Sequence, residues 1–153
     1  MSVLIVGYAR TPFTKLNGAL SSVSAVSLGA HAIKAALSNA GISPELVDLV
    51  YAGQVLQGGA GQNPARQAAV LSGIPLSTPA MTLNAVCLSG IEAIAAGVRL
   101  IESGEADVVV AAGQESMSLA PHAWVGSRAG KKYGPVTMID TLEFRSEEHT
   151  SEL

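Results

Sequence analysis

The chain's only cysteine, Cys87, is the residue best suited to covalent chemistry. Residues 80–86 before it are apolar and predict a β-strand, whereas the small residues at 90–103 have the spacing of a helix. Ser89 and Glu92 have the S-x-x-E spacing of a capping box, which predicts that this helix begins directly after Ser89. Helix N-termini favour a nearby thiolate because their backbone N–H groups are unpaired. The pattern therefore indicates a nucleophile, although a lone cysteine is more often buried and inert.

The elements that would position Cys87 are predicted from hydrophobic periodicity. Apolar runs predict four strands, at residues 2–8, 47–55, 80–86 and 108–112. Apolar residues at helical spacing predict three helices, at residues 22–40, 64–73 and 90–103. Gly41 is placed to end the first helix, and Asn63 and Pro64 are expected to cap and begin the second. The last helix has few polar positions and is expected to be buried on most sides. The order βαβαβαβ predicts an α/β layered fold with a mostly parallel sheet, in which the last strand is covered on both faces.

Ligands of parallel sheets gather at the carboxyl ends of the strands. Cys87 follows one predicted strand and Gln114-Glu115-Ser116 follow another, so both are expected at the same edge. Gly59 and Gly61 begin a G-x-G-x-x-G pattern, but Pro64 stands at the third glycine and no acidic residue lies about 20 positions on. This loop therefore does not predict dinucleotide binding.

Composition narrows the class of protein further. The 153 residues suffice for one domain with a real core, and the chain is 48% hydrophobic and only 14% charged. Part of its surface is therefore expected to belong to an interface. A net charge of −3 argues against nucleic acid as a partner, and no apolar run is long enough to predict a membrane span. One cysteine makes no internal disulfide, which favours a reducing, cytoplasmic compartment.

Four segments resemble one known family. Residues 84–90, N-A-V-C-L-S-G, resemble the N-x-x-C-x-S-G active-site motif of the thiolases, the acetyl-CoA acetyltransferases; Leu88 is a mild departure, since a small residue is commoner there. Residues 9–13, 61–68 and 113–118 resemble other segments of the same family, in the same order. The resemblance implies a thiolase-like layered fold, truncated before its second half, with Cys87 as the catalytic nucleophile.

The resemblance also implies the substrates and the partners. Coenzyme A thioesters would be substrates, so no bound cofactor and no metal is expected, and the family forms homodimers and homotetramers. In thiolases the second half supplies a histidine and a second cysteine as bases, so residues 1–153 alone are expected to be inactive. Two alternatives stay open: another condensing enzyme such as a ketoacyl synthase, and a non-catalytic interaction domain.

Three regions are predicted along the chain. Residues 1–118 form the α/β domain, residues 119–141 begin a loop region, and residues 142–153 form an atypical tail, non-native or disordered. The loop region contains a small basic cluster, Arg128, Lys131 and Lys132, for which a solvated loop is favoured over a contact with coenzyme A phosphates. His31 and His122 lack the spacing of a metal site.

Overall fold

The computed structural model describes residues 2–143, which contain three α-helices and three longer strands. These elements, in chain order, are α1 Ala25–Ala40, β1 Leu49–Gly53, α2 Pro64–Leu71, β2 Ala80–Leu83, α3 Ser89–Glu102 and β3 Val109–Gly113. Two short strands follow, β4 His122–Ala123 and β5 Ile139–Asp140, which pair antiparallel. The predicted tail falls largely at residues 144–153, outside the described residues.

The three longer strands form a parallel sheet in the order β2-β1-β3, which confirms the predicted α/β class. Helices α1 and α2 pack against each other and against one face of this sheet, whereas α3 packs against the other face. The core on the first face consists of Val26, Ala30, Ile33, Leu37, Val47, Val50, Ala68, Ala69 and Ile74. The carboxyl ends of all three strands therefore lie along one edge of the sheet.

Capping residues determine where the first two helices begin and where the first one ends. Ser24 accepts a hydrogen bond from the Ser27 N–H at 3.1 Å, so α1 begins three residues later than predicted. Gly41 ends α1 in the left-handed conformation, with φ of 65°. The expected cap of α2 is confirmed, since Asn63 accepts from the Arg66 N–H at 3.1 Å and Pro64 is the first helical residue.

The strand predicted at residues 2–8 is wrong. This segment has no regular secondary structure, and its apolar side chains are exposed, 76% for Leu4 and 80% for Ile5. It contacts α1 so closely that a Cβ on Gly7 would lie 2.7 Å from Ala36 O. An apolar cleft of about 360 Å³ separates it from β3. Paired strands lie about 4.8 Å apart, so a segment held across this cleft cannot join the ladder.

Helix α3 is far more exposed than its sequence predicts. Only Ser89, Ala93 and Gly97 are buried, whereas Ile91 is 67% exposed and Ile94 is 47% exposed. The sheet covers one side of α3, and no other element in residues 2–143 covers the opposite side. Strand β3 is likewise partly exposed rather than covered on both faces. No helix in this part of the chain is long and apolar enough to cross a bilayer.

Candidate active site

Cys87 lies in a short turn that joins the end of β2 to the start of α3, and its side chain is exposed. The residue before it, Val86, has a φ of 54°, in the left-handed region. This conformation is a genuine outlier for a β-branched residue and costs on the order of 1–3 kcal/mol, so surrounding contacts must maintain it. The turn therefore presents the thiol to solvent through a strained backbone.

Two side chains of the N-x-x-C-x-S-G segment hold the strained residue. Asn84 Oδ1 accepts a hydrogen bond from the Val86 N–H at 3.0 Å. Ser89 Oγ donates to the Val86 carbonyl at 2.6 Å and accepts from the Ala85 N–H at 2.9 Å. The peptide groups on both sides of Val86 are thus fixed by polar side chains, one from the strand end and one from the helix.

These contacts explain why the predicted capping box is wrong. Helix α3 begins at Ser89 itself, and the residue before it, Leu88, makes no side-chain cap. The Ser89 hydroxyl binds the preceding turn instead, and Glu92 pairs with Arg99 on the exposed face of the helix. Within the described residues, the N–H groups at positions 90 and 91 have no hydrogen-bond acceptor. Unpaired helix N–H groups favour an anion, so the start of α3 suits a developing negative charge.

A glycine beneath Ser89 allows this helix start to lie directly on the sheet. A Cβ at Gly53, the last residue of β1, would lie 2.7 Å from Ser89 Cβ and 2.9 Å from its carbonyl carbon. Ser89 is only 5% exposed, so the two elements are in direct contact here. The close approach of β1 and α3 therefore determines how far the Cys87 turn lies from the sheet.

A second polar group lies at the same edge, as the sequence predicts for Gln114 and Glu115. The buried Gln114 Nε2 donates to the buried Gln54 Oε1 at 2.8 Å, joining the ends of β3 and β1. The Glu115 carboxylate accepts from two consecutive backbone N–H groups, Val55 at 2.9 Å and Leu56 at 3.1 Å. Together these contacts fix the start of the glycine-rich loop after β1.

The sequence interpretation missed Gln54, although a signal for it exists. Gln54 follows β1 in the same way that Gln114 follows β3, and polar residues directly after buried strands are candidates for such an edge. Helix α1 also approaches this pair closely, since a Cβ at Gly29 would lie 2.0 Å from Gln114 Oε1. That oxygen is buried and has no hydrogen-bond partner within residues 2–143.

The remaining candidates belong to other elements than the turn that contains Cys87. His31 is exposed on α1, and His122 Nε2 lies 3.9 Å from Asp140 Oδ2 in the β4–β5 ladder. In the basic cluster, Lys131 donates to the Pro135 carbonyl of its own loop. No group of histidine, cysteine and acidic residues in the described chain could hold a metal ion.

Two carboxyl groups with perturbed pKa values lie outside the strand-end edge. Hydrogen bonds from the N–H groups of Val108 and Asp107 lower the pKa of Asp48, which precedes β1. A hydrogen bond from the Ser43 hydroxyl lowers the pKa of Glu45. Both residues precede β1 and so belong to the amino ends of the strands. They therefore lie at the opposite end of the strands from Cys87, which follows β2.

The comparisons with known proteins agree on one family. The family model "Thiolase, N-terminal domain" matches residues 3–151. A probable acetyl-CoA acetyltransferase of Mycobacterium leprae is 55% identical over 143 residues, and the acetyl-CoA acetyltransferase of Cupriavidus necator is 51% identical over 140 residues. These matches cover 94% and 92% of this chain, but 36% of each relative.

A solved structure shows the same backbone arrangement. The Acat5 thiolase from Ascaris suum, crystallised in complex with coenzyme A, superposes with a TM-score of 0.86 at 37% sequence identity. The match covers 92% of this chain and 36% of the Ascaris chain. The layered fold, the exposed cysteine in an N-x-x-C-x-S-G turn and these matches lead to one conclusion: the chain belongs to the thiolase family and corresponds to its N-terminal domain.

Proposed function

We propose that this chain is part of an acyltransferase of the thiolase type, in which Cys87 is the nucleophile and coenzyme A thioesters are the substrates. The observation that carries the proposal is the exposed thiol in a strained turn directly before α3. The similarity to acetyl-CoA acetyltransferases supports acetyl-CoA as the acyl donor. The coenzyme A bound in the Ascaris thiolase supports the class of ligand.

The proposed reaction proceeds in two steps, each of which balances. The Cys87 thiolate attacks the carbonyl carbon of acetyl-CoA, a carbon–sulfur bond forms, and the coenzyme A thiolate leaves and takes up a proton. A base then removes a proton from the methyl carbon of a second acetyl-CoA. The resulting carbanion attacks the acyl-Cys87 thioester, which gives acetoacetyl-CoA and releases the Cys87 thiolate. The reverse direction cleaves a 3-oxoacyl-CoA and shortens the acyl chain.

Residues 1–153 contribute to the first step more than to the second. The negative charge that develops on the thioester oxygen needs hydrogen-bond donors, and the unpaired N–H groups at the start of α3 are suitable donors. The second step needs a positioned base, and such groups typically contribute about 10²–10⁴-fold each. The only cysteine is already the nucleophile, and the chain spans 36% of its relatives. We therefore assign the bases to the remaining part of the protein.

The proposal extends to assembly and location. The low charge content and the exposed apolar residues of α3, among them Ile91 and Ile94, support burial of this helix in a larger homodimer or homotetramer. The family resemblance supports a cytoplasmic enzyme of fatty acid metabolism. The same exposed face is the one observation that favours the second candidate, a non-catalytic interaction domain.

Acetyl transfer to the protein tests the proposal directly. Purified residues 1–153 are incubated with acetyl-CoA, and intact mass spectrometry follows the addition of one acetyl group. We expect slow acetylation at Cys87, none in Cys87→Ala, and no steady formation of acetoacetyl-CoA. Equal acetylation of wild type and Cys87→Ala would refute the nucleophile. Sustained condensation would refute the assignment of the bases to the rest of the protein.

A further inference from the structure

We propose that Asn84 and Ser89 are positioning residues, whose shared role is to hold Val86 in its left-handed conformation and so direct the Cys87 thiol. The inference rests on the proposed function for the reaction it serves. The contacts that support it all lie at the turn between β2 and α3. Neither residue is assigned a contact with the reacting atoms.

Val86 has a backbone conformation that valine rarely adopts. Left-handed φ values are readily adopted by glycine and, among other residues, mainly by asparagine and aspartate. Val86 has a φ of 54° with a β-branched side chain that is 40% exposed, so side-chain burial does not explain the conformation. Hydrogen bonds to its backbone must therefore hold it.

Both backbone groups of Val86 are held, and by different elements. Asn84 Oδ1 accepts from its N–H at 3.0 Å, and Ser89 Oγ donates to its carbonyl at 2.6 Å. The same Ser89 oxygen accepts from the Ala85 N–H at 2.9 Å, so one hydroxyl spans the turn. The Ser89 N–H also donates to the Val86 carbonyl, at 3.1 Å. Loss of either side chain therefore removes one restraint, but not every restraint, on the two peptides that flank Val86.

Ser89 packs directly against the sheet. Its Cβ lies against the end of β1, where a Cβ on Gly53 would come within 2.7 Å. The hydroxyl is thus presented to the turn from a fixed point on the sheet. Because misplacement of a reacting group by about 1 Å can cost about 10²-fold in rate, a rigid turn of this kind affects the rate of acyl transfer.

The test compares variants in two reactions of the single cysteine. The first is carbamidomethylation of Cys87 by iodoacetamide as a function of pH, in which the thiolate displaces iodide and which requires no coenzyme A chemistry. The second is acetylation by acetyl-CoA, followed by intact mass. We expect Ser89→Ala and Asn84→Ala each to slow both reactions by about tenfold or more. The matched control is Ser103→Ala, which removes a serine with two side-chain hydrogen bonds at the other end of α3 and should change neither rate.

Rescue separates positioning from a general loss of helix stability. Asparagine adopts the left-handed conformation more readily than valine, so adding Val86→Asn should restore most of the rate lost in Ser89→Ala. A weakened helix would gain nothing from a change outside α3. Should Ser89→Ala lose helical circular dichroism, the pair Asn84→Ala and Asn84→Ala/Val86→Asn answers the same question, because both positions precede the helix.

Each outcome has one meaning. Unchanged rates in both single variants, or no recovery on addition of Val86→Asn, would overturn the positioning role. If iodoacetamide shows the expected pattern but acetyl-CoA does not acetylate the wild-type chain, the positioning role holds and the proposed function fails. If acetylation occurs in the wild type and is unaffected by either single variant, the proposed function holds and the positioning role fails.

Discussion

Substitution of Gly53 by alanine tests the close contact that supports the cysteine turn. The new methyl group would lie 2.7 Å from Ser89 Cβ, 2.9 Å from its carbonyl carbon and 3.0 Å from its carbonyl oxygen. Two of these atoms are backbone, so the start of α3 must move away from the sheet. Overpacking of this kind costs about 1–3 kcal/mol. With a urea m-value of about 1–3 kcal/mol/M, we expect a midpoint lower by roughly 1 M.

Gly113 provides a matched control for this prediction. It is the register partner of Gly53 on the neighbouring strand β3, and a Cβ there would meet nothing within 4 Å. Since neither glycine has a positive φ, Gly113→Ala should be neutral or stabilising by about 0.4–1 kcal/mol, through reduced freedom of the unfolded chain. Urea denaturation followed by circular dichroism measures both variants. Equal midpoints would refute the argument that the contact between Gly53 and Ser89 limits the packing of α3.

Two further predictions concern carboxylates. In Glu115→Gln, one oxygen still accepts from one of the two N–H groups that follow β1, but the second N–H group faces an NH₂ group. The free energy of unfolding should therefore fall by about 1–3 kcal/mol in denaturation experiments. Preserved stability would show that the carboxylate contributes little. Hydrogen bonds from the N–H groups of Val108 and Asp107 lower the pKa of Asp48 in the folded protein. Its contribution to folding stability is therefore fully present above the pKa of the unfolded chain, about 3.9, and is lost as the pH falls through the lower pKa of the folded state. Asp48→Asn should flatten the acid limb of a stability–pH curve, and an unchanged limb would contradict this.

Features set by neighbouring residues could be predicted from the sequence. The glycine that ends α1, the cap at Asn63 and the proline that starts α2 act through local backbone chemistry, so their roles are confirmed. The order of apolar runs likewise predicted the parallel sheet. Cys87 was correctly placed between a strand and a helix, because that boundary is marked by a change in periodicity.

Features set by distant contacts could not be predicted. Ser89 has the spacing of a cap, but its hydroxyl binds the turn before the helix, a choice that depends on how closely α3 approaches Gly53. The sequence also argues against a left-handed valine at position 86. Gln54 and Gln114 are 60 residues apart, and their hydrogen bond becomes visible only when β1 and β3 are neighbours. The strand predicted at residues 2–8 does not form, because strand pairing requires a neighbouring strand within hydrogen-bond distance as well as an apolar sequence.

The cleft beside β3 has a consequence for handling the protein in solution. Strand β3 is an edge of the sheet, and the cleft leaves its outer backbone groups beside apolar walls rather than beside a neighbouring strand. An uncovered edge of this kind is a template for intermolecular strand pairing. Self-association of residues 1–153 should therefore rise with concentration. It should also compete with refolding, because partly folded chains expose the same strand edge. A lysine at Ala111, which is exposed in the middle of β3, would oppose such pairing through charge repulsion while leaving the three-stranded ladder intact.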